Sequence, residues 1–530
     1  MTRKYIQKSI LCLGLLAAVS CTDNFESINS NPQGSTAESL TQDFNNITGY
    51  SKVMFNYVFE QDPLWGYQIQ QNLQGDIWSG YMATSNPFNT NNNNMTYNLV
   101  NGWNGRAWED AYTFVMSNAL KIKQATKDKG VFPELYAMSQ ILKIEAMHRV
   151  TDIYGPIVFS KYSSEASVKE YDSQEEVYNQ MFAELDEAIT ILSNSADKGV
   201  ATILTNADFS SYAGKYDKWT KFGNSLRLRL AIRIAVKNPA LAKTQAEKSF
   251  NQKYSVMTTQ SDTFIFKSNF VNPVYGNSNE YQDVNMSADM ESILGGYNDP
   301  RMDAYFDFSV KYPGQYKGIR TGIDLPVAPE GYSKSLRKDF SKVGKAVNKK
   351  ETIFLSAAEV YFLRAEGALR GWDMGGDAQT LYEEGIKTSF VQNGLAAGAY
   401  LSSTLLPKDY VDPVDSVNNS AAVNSVTVVW DAGASNEVKL QKIITQKWIA
   451  GFPDGQEAWS EQRRTGYPKL FPVVKNTSNG VISTQFGVRR VNFVASEIAG
   501  NSGGVATGVA KLNGPDNGAT RLWWDTGVNF

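Results

Sequence analysis

The stretch SAAEVYFLRAEGALRG, residues 356–371, carries apolar or small side chains at Ala358, Phe362, Ala365 and Leu369, the three-to-four spacing of one helical face. Alanine and glycine in that segment let a second helix approach closely. Gly371 ends the pattern, and after the linker WDMGGD it resumes in AQTLYEEGIKTSF through Ala378, Tyr382, Ile386 and Phe390. The two segments predict a helical hairpin. Similar periodicity marks 133–150 with 174–192 as a second pair, and 107–125, 218–236 and 438–452 as single helices.

In size these hairpins resemble tetratricopeptide units, although no regular period runs through the chain. Long irregular stretches separate the helices, at 61–105, 258–286, 396–434 and 476–517. Loops of that length are usually functional or disordered, and the first two are aromatic as well as polar, which disfavours disorder. Short strands are expected at 262–267 and 426–430. The expected architecture is a mainly α body of tetratricopeptide-like hairpins, with long irregular ligand-binding loops and minor β-structure.

The N-terminus reads as an export signal. Arg3, Lys4 and Lys8 form a basic front, residues 10–19 an apolar stretch, and Ser20 a small residue before Cys21. That run is too short to span a bilayer. The pattern resembles the bacterial lipobox, with Ala18 where leucine is usual, and it makes Cys21 the expected lipidation site. Acyl chains contribute about 0.8 kcal/mol per buried methylene, enough together to anchor a protein at a membrane. The expected division is a signal peptide at 1–20, a lipidated tether at 21–36 and a folded body at 37–530. Cys12 leaves with the signal, so one thiol remains and a disulfide framework is ruled out. Removal of residues 1–20 takes three basic and no acidic residues, and the formal charge goes from −3 to −6. Nucleic acid is a poor partner for such a chain.

His148 is the only histidine, and this limits catalysis. Glu145 and His148 have the Glu-x-x-His spacing of di-iron carboxylate proteins, but that site needs the motif twice. His148 is therefore expected to be a hydrogen-bonded core or helix-end residue. Zinc sites of the His/Cys type and Cys-His catalysis fall with the same count. Glycoside hydrolysis needs only two carboxylates, and nothing singles out a pair among 54 acidic residues. The Gly-rich 500–518 matches neither a phosphate-binding nor a dinucleotide motif and is expected to be loop. Arg463 and Arg464 precede Gly466 and Pro468, as suits a helix end. Asp299 before Pro300 is expected to be an N-cap, with the proline at the first helical position.

The most informative constellation is GDIWSGYMATSNPFNTNNNNMTYNLVNGWN, residues 75–104, where Trp78, Tyr81, Tyr97 and Trp103 alternate with Asn86 and many further asparagines. Flat rings suit the C–H face of a sugar, and amides both donate to and accept from hydroxyls. A second patch, NFVNPVYGNSNEYQD, holds Tyr275, Asn277, Asn279, Tyr281 and Asp283. The competing structural reading is that the rings are core and the asparagines make turns. The nominated ligand-binding residues are Trp78, Tyr81, Asn86, Trp103, Tyr275, Asn277 and Tyr281. If 77–81 is a helical turn, Trp78 and Tyr81 share a face. Trp78→Ala and Tyr275→Ala are then expected to weaken binding while leaving stability nearly unchanged.

Several segments together resemble the SusD-like (SusD/RagB) family of Bacteroidota surface lipoproteins. They are CTDNFESINSNP from Cys21, TDIYGPIVFSKY from Thr151, NDPRMDAYF from Asn298, AEVYFLRAEGALRGW from Ala358, KWIAGFPDGQEAWSEQRRTGYPKL from Lys447, and RLWWD from Arg521. The resemblance implies a helical fold with the ligand site on variable loops, no catalysis and no cofactor or metal. It also implies an outer-membrane lipoprotein facing the cell exterior, with a SusC-like TonB-dependent transporter as partner. The cargo it implies is an oligosaccharide, with an oligopeptide as the alternative. A glycoside hydrolase and a structural surface protein are the rivals from other classes.

Overall fold

The computed structural model of the protein describes residues 45–325 and 339–530. The expected signal peptide, Cys21 and its tether lie outside the described residues. The principal elements, in chain order, are α1 (Asn45–Val58), β1 (Met82–Thr84), α2 (Ser117–Ala125), α3 (Pro133–Tyr154), α4 (Gln174–Asp197), α5 (Tyr216–Arg233), α6 (Pro239–Asn251), β2 (Phe264–Lys267) and β3 (Val284–Met286). There follow α7 (Ala288–Tyr297), β4 (Glu351–Leu355), α8 (Ala357–Leu369), α9 (Ala378–Gln392), α10 (Asn436–Gly451), α11 (Gly455–Thr465) and α12 (Ser502–Ala510). The fold is mainly helical, with two antiparallel strand pairs, β1–β3 and β2–β4, among the described residues.

The predicted hairpins form. Ser173 caps α4 in a capping box with Glu176, Ser356 caps α8 through Glu359 N, and Asp377 caps α9 through Thr380 N. Each cap satisfies backbone donors that the first helical turn leaves free. The α8–α9 crossing depends on Gly385, because a Cβ there would stand 2.8 Å from the ring of Phe362. Helices α3 to α6 pack in succession, and α5 also contacts α8, which packs on α9 and α10. The 107–125 segment is helical with an interruption, Arg106–Asp110 being joined to α2 by a π-helical stretch at Ala111–Met116.

Charged side chains fill much of the space between helices. Arg229 bridges Glu145 and Glu359, Arg233 bridges Glu457 and Glu461, and Lys447 reaches Glu359, Glu457 and Glu461. Arg149 ties Glu145 on its own helix to Asp454 ahead of α11. Burial raises the Glu145 pKa, but Arg229 and Arg149 outweigh it and hold the carboxyl at about 2. His148 belongs to this network. It is buried as expected, but with Nε2 3.5 Å from Glu145 and Nδ1 3.9 Å from Asp152 it makes no hydrogen bond among the described residues, where one was expected.

Three sequence expectations need correction. Residues 426–430 are not a strand: Val426 and Val428 are buried, but their carbonyls accept from the hydroxyls of Tyr297 and Tyr382, and Lys442 Nζ takes the carbonyls of Thr427 and Val429. Side chains of neighbouring helices do the work of a ladder partner. The Gly-rich 500–518 is not all loop, since it contains α12; its glycines permit contact too close for side chains, a Cβ on Gly508 falling 2.6 Å from Tyr171. Pro300 is the N-cap residue rather than the first helical residue of the short helix Arg301–Tyr305, and Asp299 Oδ1 accepts from Arg301 N at 2.9 Å. The end of α11 is as expected, with Gly466 in the left-handed region at φ 74°.

Candidate functional site

The two ring-and-amide patches, nearly two hundred residues apart in sequence, meet in space. Strands β1 and β3 pair with Met82 opposite Met286, Ala83 opposite Asn285 and Thr84 opposite Val284. One residue further, Ser85 N donates to Asp283 O at 3.1 Å. The Asp283 carboxylate then gathers both loops, accepting from Gln68 Nε2 at 3.0 Å and from Asn86 Nδ2 at 2.9 Å. Helical turns at Leu64–Tyr67 and Gln68–Asn72 touch the turn Pro273–Gly276 of the second loop, and Gln68–Asn72 also touches Asn101–Asn104. Gly276 allows the approach, because a Cβ on it would lie 2.7 Å from Leu64.

Most asparagines of the first patch hold the loop together. Asn94 Nδ2 donates to Leu73 O and to Asn104 Oδ1, while its Oδ1 accepts from Val100 N. Asn93 caps the turn Asn94–Thr96, and Asn89, Thr90 and Asn91 occupy the left-handed region. This is turn-making chemistry, and it fixes the backbone that carries the rings.

The nominated residues divide by exposure. Asn86, Trp103 and Tyr275 are half-buried and Tyr281 is exposed, so these four remain at the surface. Asn277 is fully buried and donates to Leu64 O at 3.1 Å. Tyr81 is 1% exposed, its hydroxyl bonded to the Trp448 carbonyl and its ring packed on Trp448 and Phe452. Trp78 is 6% exposed, with Nε1 on Asn94 O and its ring centroid 4.7 Å from that of Trp459. The helical turn stops at Trp78, and Gly80 at φ 74° redirects the chain, so Trp78 and Tyr81 pack on different partners instead of sharing a face. For Tyr81 and Asn277 the place is interior, because their polar atoms complete backbone hydrogen bonds across the fold.

The family described as "SusD-like: Susd and RagB outer membrane lipoprotein" matches residues 27–525. The chain belongs to the SusD-like family. A chitin-binding SusD homolog from Flavobacterium johnsoniae is 56% identical, with 91% of this chain and 99% of that one covered and a TM-score of 0.89. SusD homologs from Bacteroides vulgatus and Bacteroides uniformis are 34% and 36% identical, with TM-scores of 0.87 and 0.82; the alignments cover 92% and 90% of this chain and 100% and 99% of theirs. No curated protein matches the chain significantly.

In this SusD-like chain the surface includes residues that the sequence reading missed. Trp65, 48% exposed, lies under the Arg106 guanidinium at 5.0 Å, and Arg106 is held by Glu60 and Asp110. Phe88 meets Trp103 edge to face at 5.7 Å. Trp65 lies within the irregular 61–105 stretch but outside its asparagine-dense part, and its signal is the company of Tyr67 and the glutamines that follow. The surface presents rings, amides and one carboxylate anchored by amides. It can stack and hydrogen-bond a ligand. Among the described residues no group of three His, Cys, Asp or Glu side chains is placed to hold a metal, and no helix is long and apolar enough to cross a membrane.

Proposed function

We propose that the protein captures chitin-type oligosaccharides, chains of β-linked N-acetylglucosamine, and passes them unaltered to a SusC-like TonB-dependent transporter. The observation that carries this reading is the convergence of two ring-bearing loops on Asp283, in a chain 56% identical to a chitin-binding SusD homolog. Trp65, Phe88, Trp103, Tyr275 and Tyr281 supply flat faces, and Asn86 supplies an amide that suits hydroxyl and acetamido groups. Cys21 is the lipid anchor in this reading, and the body faces the cell exterior.

Calorimetry against chitin and cellulose oligosaccharides tests the cargo. Saturable binding of the acetylated chain, with no new reducing ends on prolonged incubation, is the expected result. Release of new ends would make the protein a hydrolase, and binding of peptides instead would move it to the oligopeptide class. Cys21→Ala is expected to release the protein from membranes. Affinity purification in mild detergent is expected to recover a large β-barrel partner, and its absence would mean that the protein acts alone.

A further inference from the structure

Behind the asparagine-rich loop lies a cavity of about 630 Å³, within the range of small-ligand sites. Trp78, Tyr97 and Trp459 line it from the interior. Its rim carries Phe486, half exposed, with Gln485, Thr484, Lys469 and Pro472. The loop that bears this rim is tied to the asparagine-rich loop through Thr477, whose N–H donates to Thr96 O at 2.7 Å.

No aspartate or glutamate lines this cavity. Cations cluster around it. The Arg463 guanidinium stacks on the Trp459 ring at 3.5 Å and spends its N–H groups on the carbonyls of Arg489 and Trp459 and on Ser460 Oγ. It is 2% exposed, and no carboxylate forms an ion pair with it among the described residues. Arg489 and Arg521 share one carboxylate, Asp525, and Arg521 also lies over the Phe486 ring at 5.4 Å. Lys469 at the rim has no ion-pair partner among the described residues. Arg489 and Arg521 outnumber their one carboxylate and Lys469 has none, so the mouth of the cavity attracts an anion. Aromatic walls with an excess of positive charge fit a ring that carries a negative group.

We propose that this cavity is a second ligand site, which takes an acidic sugar unit: one pyranose ring bearing a carboxylate or sulfate. The ring lies against the aromatic lining, Gln462 and Gln485 meet its hydroxyls, and the negative group faces Lys469, with Arg489 on the wall. The open surface around Asp283 uses different side chains, so substitutions at Lys469 and Phe486 leave its residues untouched.

Saturation-transfer NMR and calorimetry with glucuronate, N-acetylglucosamine 6-sulfate and neutral N-acetylglucosamine test the proposal. The acidic sugars are expected to bind at least about tenfold more tightly than the neutral one, and to weaken as salt rises. Lys469→Glu places a like charge at the mouth and is expected to cost about tenfold or more for the acidic sugars. Phe486→Ala is expected to cost about fivefold by removing a stacking face. Both positions are exposed, so the variants fold, and chitin oligosaccharide binding at the open surface serves as the separate readout. Equal binding of neutral and acidic sugars, no saturation by either, or unchanged affinity in Lys469→Glu would overturn the proposal. Selective uptake of a peptide ending in tryptophan would overturn it too, in favour of a peptide carboxylate.

Discussion

Glu366 on α8 and Arg464 at the end of α11 form a two-bond pair, Nη1 to Oε1 and Nη2 to Oε2 at 2.7 Å each, across 98 residues of sequence. Arg370 adds a bond to the same carboxylate, and Glu461 takes another from Arg464. Both side chains are buried. Removing one partner strands the other charge in a medium that solvates it poorly, which costs about 3–5 kcal/mol. Glu366→Gln is expected to lower stability by that amount in urea unfolding. Lys387→Ala, which breaks an exposed pair with Glu384, should change it by less than about 1 kcal/mol.

Trp65 holds the exposed position that sequence alone gives to Trp78, and Trp78 is buried. Trp78→Ala leaves a hole beside Trp459 and is expected to cost about 3–5 kcal/mol of stability, against the expectation of an unchanged unfolding midpoint. Trp65→Ala removes a half-exposed ring and should leave the midpoint nearly unmoved. It is expected to weaken glycan binding by about five- to thirtyfold, the equivalent of about 1–2 kcal/mol for one stacking platform. Thermal melts and calorimetry on the same preparations separate the two outcomes.

Tyr81→Phe deletes the hydroxyl that donates to the Trp448 carbonyl and leaves the ring in place. A stability loss of about 1–2 kcal/mol with unchanged glycan affinity is expected. Reduced affinity in a stably folded variant would bring Tyr81 back among the ligand contacts.

Burial pushes Asp76 and Asp289 up to about 7, against the lowering effect of their hydrogen bonds to Asn72 and to Phe471 N. Each binds its proton more tightly folded than unfolded, so each contributes stability at low pH that is lost as pH rises from about 4 to about 7. Glu145, held at about 2, acts in the opposite sense, and its contribution disappears only as pH falls below about 4. The unfolding midpoint is expected to be highest near pH 5 and to decline toward pH 8. Asp76→Asn should flatten that decline; an unchanged slope would assign it to other groups.

The hairpins were legible because their signal is local: Ala358, Phe362, Ala365 and Leu369 mark a helical face without reference to anything outside it. The same logic failed at 426–430, where the alternation of Val426 and Val428 is real but the partners are the hydroxyls of Tyr297 and Tyr382 rather than a strand. It failed at α12 because glycine-rich composition speaks for loops, whereas contact with Tyr171 selects glycine within a helix. The two loop patches were legible as composition. Which ring faces outward was not, since Tyr81 is buried by a tryptophan 367 residues away. Trp65 escaped notice because the amides that follow it, from Gln68 to Gln74, are mainly glutamines outside the asparagine-dense stretch, and its neighbour Arg106 is brought close only by the fold.

The ladder that joins the two loops to each other is three residue pairs long. Each loop is also tied to the body, the first through the carbonyls of Asn104 and Thr96, which accept from Tyr154 and Thr477, and the second through Asn279, which donates to Val343. Change is therefore easiest at the outward-facing positions between these ties. Anyone transplanting this surface must move both loops together, since either one alone would arrive without its half of the Asp283 clasp.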